Sequence, residues 1–306
     1  MRPRLPGGEP PDPIQTAPHG EGGPPLATPP LRDLALVLIL VSPLIITLFT
    51  YFLPISVDWR GHFNIVAQRP LHPHSVTSFF NPPWFALPLF AVGWLPLQVG
   101  QAVNAYLNLL VTALVVVRCR GTLRSLLVAL TSLPFAALLL NGNVEWIPMT
   151  SFLIPPALGL PLLLTKPQSG ILVAFVWFRQ APKKLLFLLP AALTILVSLF
   201  LWPGWPSLAI SNILNSTPTP LAGDANASIW PWTVPLGVFL MVRAWRREGE
   251  LLAVASTLCL SPYFVMHSAT LFMALFSARS PRWALLVSLG LWLLAIITSW
   301  HRLLGQ

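Results

Sequence analysis

The sequence predicts an all-α, polytopic integral membrane protein, and three observations carry that reading. Hydrophobic residues fill 55% of the 306 positions and charged residues only 9%, against about a quarter charged in soluble domains. Apolar runs of membrane-spanning length recur from residue 34 almost to the end of the chain. The basic residues fall in small groups beside those runs, where Lys and Arg set membrane topology. The net charge of +9 therefore does not point to nucleic acid, because no basic face interleaved with aromatics accompanies it. Cys119 and Cys259 lie in or beside apolar segments and read as small packing residues, with the spacing of neither a disulfide framework nor a metal site.

Residues 1–30 are rich in proline and glycine and lack an apolar period, so they are expected to form a disordered cytosolic tail. Residues 31–306 are expected to form one transmembrane domain. Its first span is 34–53, and Arg2, Arg4 and Arg32 before it place the N-terminus in the cytoplasm. An outer loop at 54–82 follows, polar enough to leave the bilayer and aromatic enough to lie on it. Residues 84–99 allow two readings. As a full span they put Arg118, Arg120, Arg124 and every later basic group outside; as an interfacial or re-entrant piece they put those groups inside. Pro88, Gly93 and Pro96 interrupt the segment, which favours the second reading. The remaining spans are then 102–117, 122–140, 147–165, 185–202, 230–244, 251–265, 268–278 and 282–300, nine in all with the first. Residues 167–178 become a second interfacial piece. Residues 203–229 become a second outer loop, which contains no Lys or Arg.

Few acidic residues remain as candidates for chemistry. Glu9, Asp12 and Glu21 are in the tail, Asp33 suits a helix N-terminus, and Glu248 and Glu250 adjoin Arg246 and Arg247. Asp58, Glu145 and Asp224 all fall on the outer side, and carboxylates near a bilayer are costly enough to suggest function. Asp58, in VDWRGHF, can act as a general base, with Arg60 a guanidinium fork for phosphate and His62 close by. The alternative is an interfacial Asp58–Arg60 ion pair that anchors the loop. Glu145, in NGNVEWIP, is a second candidate or a solvated turn carboxylate. Asp224 sits in a flexible-loop composition and carries little weight. His72 and His74 supply two metal ligands or simply turn geometry. His267, at an outer turn, contacts substrate or serves a helix end. Asn215-Ser-Thr217 and Asn226-Ala-Ser228 match the glycosylation acceptor pattern. The sequence has no glycine-rich phosphate loop, HExxH or CxxC motif.

Taken in order, Asp58, FFNPPW at 79–84, LNGN at 140–143, TKPQ at 165–168 and SPY at 261–263 resemble the membrane glycosyltransferases of the C superfamily. More narrowly, they resemble the mannosyltransferase-like family 87, over roughly residues 34–270. The resemblance implies an inverting hexosyltransferase that moves a sugar, mannose being one choice, from a polyprenyl-phosphate donor to a glycolipid or glycan acceptor. Transfer would take place on the outer side of the cell membrane. Asp58 would be the general base, with Arg60, His62, Asn81, Glu145, Lys166 and His267 around the substrate. No soluble cofactor is implied, and a divalent metal is left open. Gly142-Asn143 stands where that family has Gly-Gln. Lys166 matches a family lysine, yet the adopted topology puts it on the cytoplasmic side, away from Asp58. Either Lys166 is a membrane-edge anchor or the topology is wrong there.

Two other functions suit the same sequence. A non-catalytic carrier or flippase for a polyprenyl-linked substrate would keep the amphipathic outer loops and tolerate loss of Asp58. A membrane scaffold would bind a partner through 203–229.

Overall fold

A computed structural model describes residues 31–76, 79–215, 226–247 and 249–304. The expected tail, Asp224 and Thr217 of the first acceptor pattern lie outside those residues. The described chain is helical, without a strand. Its helices are α1 (Leu31–Phe52), α2 (Asn64–Gln68), α3 (Ala86–Gly93), α4 (Leu97–Arg118), α5 (Leu123–Leu130) and α6 (Leu133–Asn141). There follow α7 (Trp146–Thr150), α8 (Pro156–Leu163), α9 (Pro167–Gln180), α10 (Lys184–Leu201) and α11 (Trp205–Asn215). The last four are α12 (Val234–Arg247), α13 (Glu250–Leu260), α14 (Thr270–Arg279) and α15 (Pro281–Leu304).

Among the described residues, Asp33–Phe52, Leu97–Arg118 and Lys184–Leu201 are long and apolar enough to cross a membrane. The pair α5 and α6, bent by 52°, makes a fourth if it counts as one span. This is fewer than the nine spans expected. Helices α12, α13 and α14 have 14, 11 and 10 residues, short of the roughly twenty that cross a bilayer at right angles. Helices α1 and α10 turn apolar side chains outward, whereas α4 is largely buried. None of the α1 window is buried, and Leu40 and Phe200 are 77% and 84% exposed.

The largest departure from expectation is at 147–165, which is not one helix. Helix α7 ends at Thr150, the chain turns through 151–155, and α8 brings it back. Pro155 and Pro156 fall at the break between the two helices, as Pro96 does between α3 and α4. The arms touch closely: a Cβ on Gly159 would lie 2.6 Å from the Ser151 carbonyl oxygen. A straight helix over this stretch would hold its ends about 30 Å apart. Instead Lys166 Nζ lies 2.9 Å from Glu145 Oε1.

Helix α9 corrects the other expectation nearby. Residues 167–178 are packed into the protein: beyond a kink at Gly170, Val173, Val176 and Trp177 share one helix face and are buried. Val173, Val176 and Trp177 join the main apolar core with Val254 and Leu271. The expected outer loop 203–229 also contains helix α11. Asn212 on that helix donates to the carbonyls of Val76 and Phe79, both at 3.2 Å, so α11 holds the 54–82 segment in place.

Helix α3 has only eight residues, about 12 Å, too short to cross a bilayer. It folds back on α2, where a Cβ on Gly93 would lie 2.4 Å from Ala67 Cβ.

Candidate functional site

Helix α4 carries a polar stripe through an apolar helix. Gln101, Asn104, Asn108 and Thr112 recur every three or four residues and are all buried. Each of the first three donates to backbone carbonyls. Gln101 donates to Pro54 O at 2.6 Å and accepts from Ser56 N at 2.9 Å, which pins the chain just before Asp58. Asn104 and Asn108 both donate to Asn143 O, at 3.0 and 2.8 Å. Their own oxygens accept from Trp146 Nε1 and Trp146 N, both at 2.9 Å. These side chains fix the loop between α6 and α7 on the helix that also fixes the Asp58 turn.

Gly142 brings the two fixed segments together. It ends α6 in the left-handed conformation, φ +64°, which favours glycine. A Cβ there would lie 1.9 Å from Ser56 Oγ and 2.9 Å from Trp59 Cβ. Close approach here lets the next residue reach across. Asn143 Nδ2 donates to Asp58 Oδ2 at 3.0 Å, while its Oδ1 accepts from Lys166 Nζ. The amide orientation follows from chemistry, since the carboxylate only accepts and the ammonium only donates.

Behind Asn143, Glu145 is 1% exposed and is not a solvated turn residue. Its Oε1 accepts from Lys166 Nζ at 2.9 Å and from Ser268 Oγ at 3.4 Å, and its Oε2 from Ser169 Oγ at 3.2 Å. A buried carboxylate needs such partners to stay charged. His267 Nε2 lies 3.8 Å from Glu145 Oε1. Burial first, and the Lys166 charge second, hold the His267 imidazole well below its ordinary pKa, so it is neutral. With Lys166 balancing Glu145, Asp58 leaves the cluster with net negative charge.

The cluster opens into a cavity of about 260 Å³. Asp58, Asn81, Asn143, Lys166, Gln168 and Tyr263 all line it. The five segments singled out in the sequence thus meet in one place, although about 200 residues separate the first from the last. Phe63, Phe79 and Phe80 form an apolar wall, and His62 and His267 complete the rim.

Lys166 therefore lies beside Asp58, contrary to the topology adopted from the sequence. The 146–163 hairpin is the reason, because it returns the chain to the end from which it left. Trp177 and Glu250 line a separate cavity with Arg118 and Arg120, so α9 and α13 each run from one cavity to the other. Helix α9, and not 147–165, traverses the bundle.

Arg60 is the second correction. It is exposed and is not among the residues lining the cavity. Residues two apart on a helical turn point to different faces, so Asp58 and Arg60 diverge while His62 faces inward. Among the described residues, Lys166 is the one lysine or arginine that lines the cavity.

His72 and His74 do not act together. His72 is exposed, whereas the buried His74 pairs through Nε2 with Asn81 O at 3.1 Å and stacks near Trp205. Among the described residues no three His, Cys, Asp or Glu side chains gather to hold a metal. Asn226 donates to Pro262 O at 3.1 Å, and Ser228 Oγ to Ser261 O at 2.6 Å, so the second acceptor pattern anchors the turn that carries Tyr263.

The sequence reading missed Gln101, Asn104 and Asn108 as well as Ser169 and Ser268. The α4 stripe was visible as polar residues at helical spacing inside an apolar segment. The two serines carried no signal. Compared with protein-family models, curated proteins and solved structures, the chain matches none.

Proposed function

We propose that the chain is a polytopic membrane glycosyltransferase that moves a sugar from a polyprenyl-phosphate carrier to a glycolipid or glycan acceptor at the outer face of the cell membrane. The observation that carries the reading is the meeting of Asp58, Asn81, Asn143, Lys166 and Tyr263 around one cavity. The bilayer part of the reading rests on the long apolar helices and their exposed apolar side chains.

In this reading Asp58 accepts the proton of an acceptor hydroxyl. The oxygen attacks the anomeric carbon from the face opposite the phosphate, and the carbon–oxygen bond to the phosphate breaks with its electron pair. Polyprenyl phosphate leaves, and the configuration inverts. Asn143 holds Asp58 by one oxygen and so orients it. Lys166 offers positive charge where the phosphate departs. Mannose is the first sugar to test, by the resemblance alone. A divalent metal would find Asp58 in the cavity and would take further oxygens from the donor phosphate, as Mg²⁺ commonly does.

The test is analysis of lipid-linked sugars and glycolipids in a deletion strain carrying either the native chain or Asp58→Asn. The native chain should convert donor into product. Asp58→Asn should insert normally and transfer roughly 10²- to 10⁴-fold more slowly, the span of general-base effects. Undiminished transfer by Asp58→Asn sinks the reading.

A further inference from the structure

At the end of the bundle away from Asp58, a third cavity, of about 280 Å³, opens among α12, the start of α13 and the end of α14. Its position follows from chain direction: α13 leads from this cavity toward Tyr263, and α14 leads from His267 toward it. Arg243, Arg247 and Arg279 converge on it, and among the described residues that line it none is acidic. Arg243 and Arg247, four apart, share a face of α12.

Arginines in a last helical turn are common, because they offset the negative end of the helix dipole. That accounts for Arg247 and Arg279 singly. It does not account for three guanidinium groups brought to one concavity from two helices.

The face of α12 leading to the arginines is apolar. Leu236 and Phe239 are 51% and 57% exposed, and stand two turns and one turn before Arg243 on its side of the helix. Phe239 and Leu240 line the cavity itself. The Arg243 guanidinium carbon lies 5.8 Å from the Phe239 ring centroid, so the apolar strip meets the charged pocket directly.

We infer that this cavity binds the phosphate headgroup of an anionic lipid, with an acyl chain along Leu236 and Phe239. The apolar strip selects a lipid over free phosphate, and three converging arginines select an anionic headgroup over a zwitterionic one. The inference rests on the bilayer reading of the helices and not on the chemistry at Asp58, so either can fail alone.

The experiment uses the purified full chain in mild detergent, with retention of phosphatidylglycerol and phosphatidylcholine measured by native mass spectrometry. The native protein should retain phosphatidylglycerol in preference, and Arg279→Gln should weaken that preference roughly fivefold. The triple variant Arg243→Gln/Arg247→Gln/Arg279→Gln should abolish it, while Arg60→Gln/Arg69→Gln at the other end should not change it. Thermal unfolding accompanies each variant, and Arg279→Gln, altered at one exposed side chain, keeps the test valid if the triple variant does not fold. Equal retention of both lipids by the native chain, or an unchanged preference in Arg279→Gln and the triple variant, overturns the inference. Displacement of phosphatidylglycerol by millimolar inorganic phosphate assigns the pocket to free phosphate and overturns it too.

Discussion

Lys166 Nζ lies 2.9 Å from Glu145 Oε1, although the two residues bracket an apolar stretch long enough to cross a bilayer. The pair closes the 146–163 hairpin and holds Lys166 against Asn143, and through it near Asp58.

Lys166→Met should leave Glu145 buried without its cation. Breaking a buried pair on one side typically costs about 3–5 kcal/mol, so the thermal midpoint should fall sharply. Lys166→Met/Glu145→Gln removes both charges and should recover much of the stability but none of the sugar transfer. Recovery of transfer in the double variant would show that Lys166 serves structure alone.

Gly142→Ala tests the close approach of α6 to the Asp58 turn. The added Cβ would meet Ser56 Oγ at 1.9 Å, in a left-handed backbone that L side chains disfavour. Overpacking and conformation together should cost at least about 2 kcal/mol. The variant should unfold at lower temperature in detergent and transfer slowly even when folded, because Asn143 shifts away from Asp58. A native midpoint would mean that the two segments are not in contact.

Stability should depend on pH through two buried histidines. Burial depresses the pKa of both His74 and His267 from an ordinary value of 6.5. The folded state therefore binds fewer protons than the unfolded one, and stability is full above pH 6.5 and declines as pH falls below it. For His267 the slope should approach about 1.4 kcal/mol per pH unit while it alone stays neutral. Thermal midpoints of native and His267→Gln protein at pH 7.5 and 5.5 check this, and the variant should show the smaller drop. An equal drop in both would mean that His267 titrates normally in the folded chain.

Much of this site was legible in the sequence, for reasons that differ residue by residue. Asp58, Asn81, Asn143, Lys166 and Tyr263 each sit in a short segment whose order suggested a site, and they do share a cavity. The helical class followed from composition, and the breaks near α3 from its prolines. The exchange of roles between 147–165 and α9 was not read, since apolar length resembles a span whether the chain crosses or doubles back. Pro155-Pro156 at the tip and a lysine at the end were the available signs. Arg60 is near Asp58 in sequence but not in direction, because two residues along a helical turn reverse a side chain's direction. The partners of Glu145 come from α9 and from the turn before α14, contacts that no local pattern encodes.

Side-specific thiol labelling tests the meeting of Asp58 and Lys166 most directly. In intact cells and inverted vesicles, single cysteines would be placed at exposed positions in a Cys119→Ser/Cys259→Ser background. Val57→Cys and Pro167→Cys should react with a membrane-impermeant maleimide from one face, and Gln180→Cys, at the other end of α9, from the opposite face. Labelling of Pro167→Cys from the same face as Gln180→Cys would contradict the hairpin, and with it the placement of Lys166 beside Asp58.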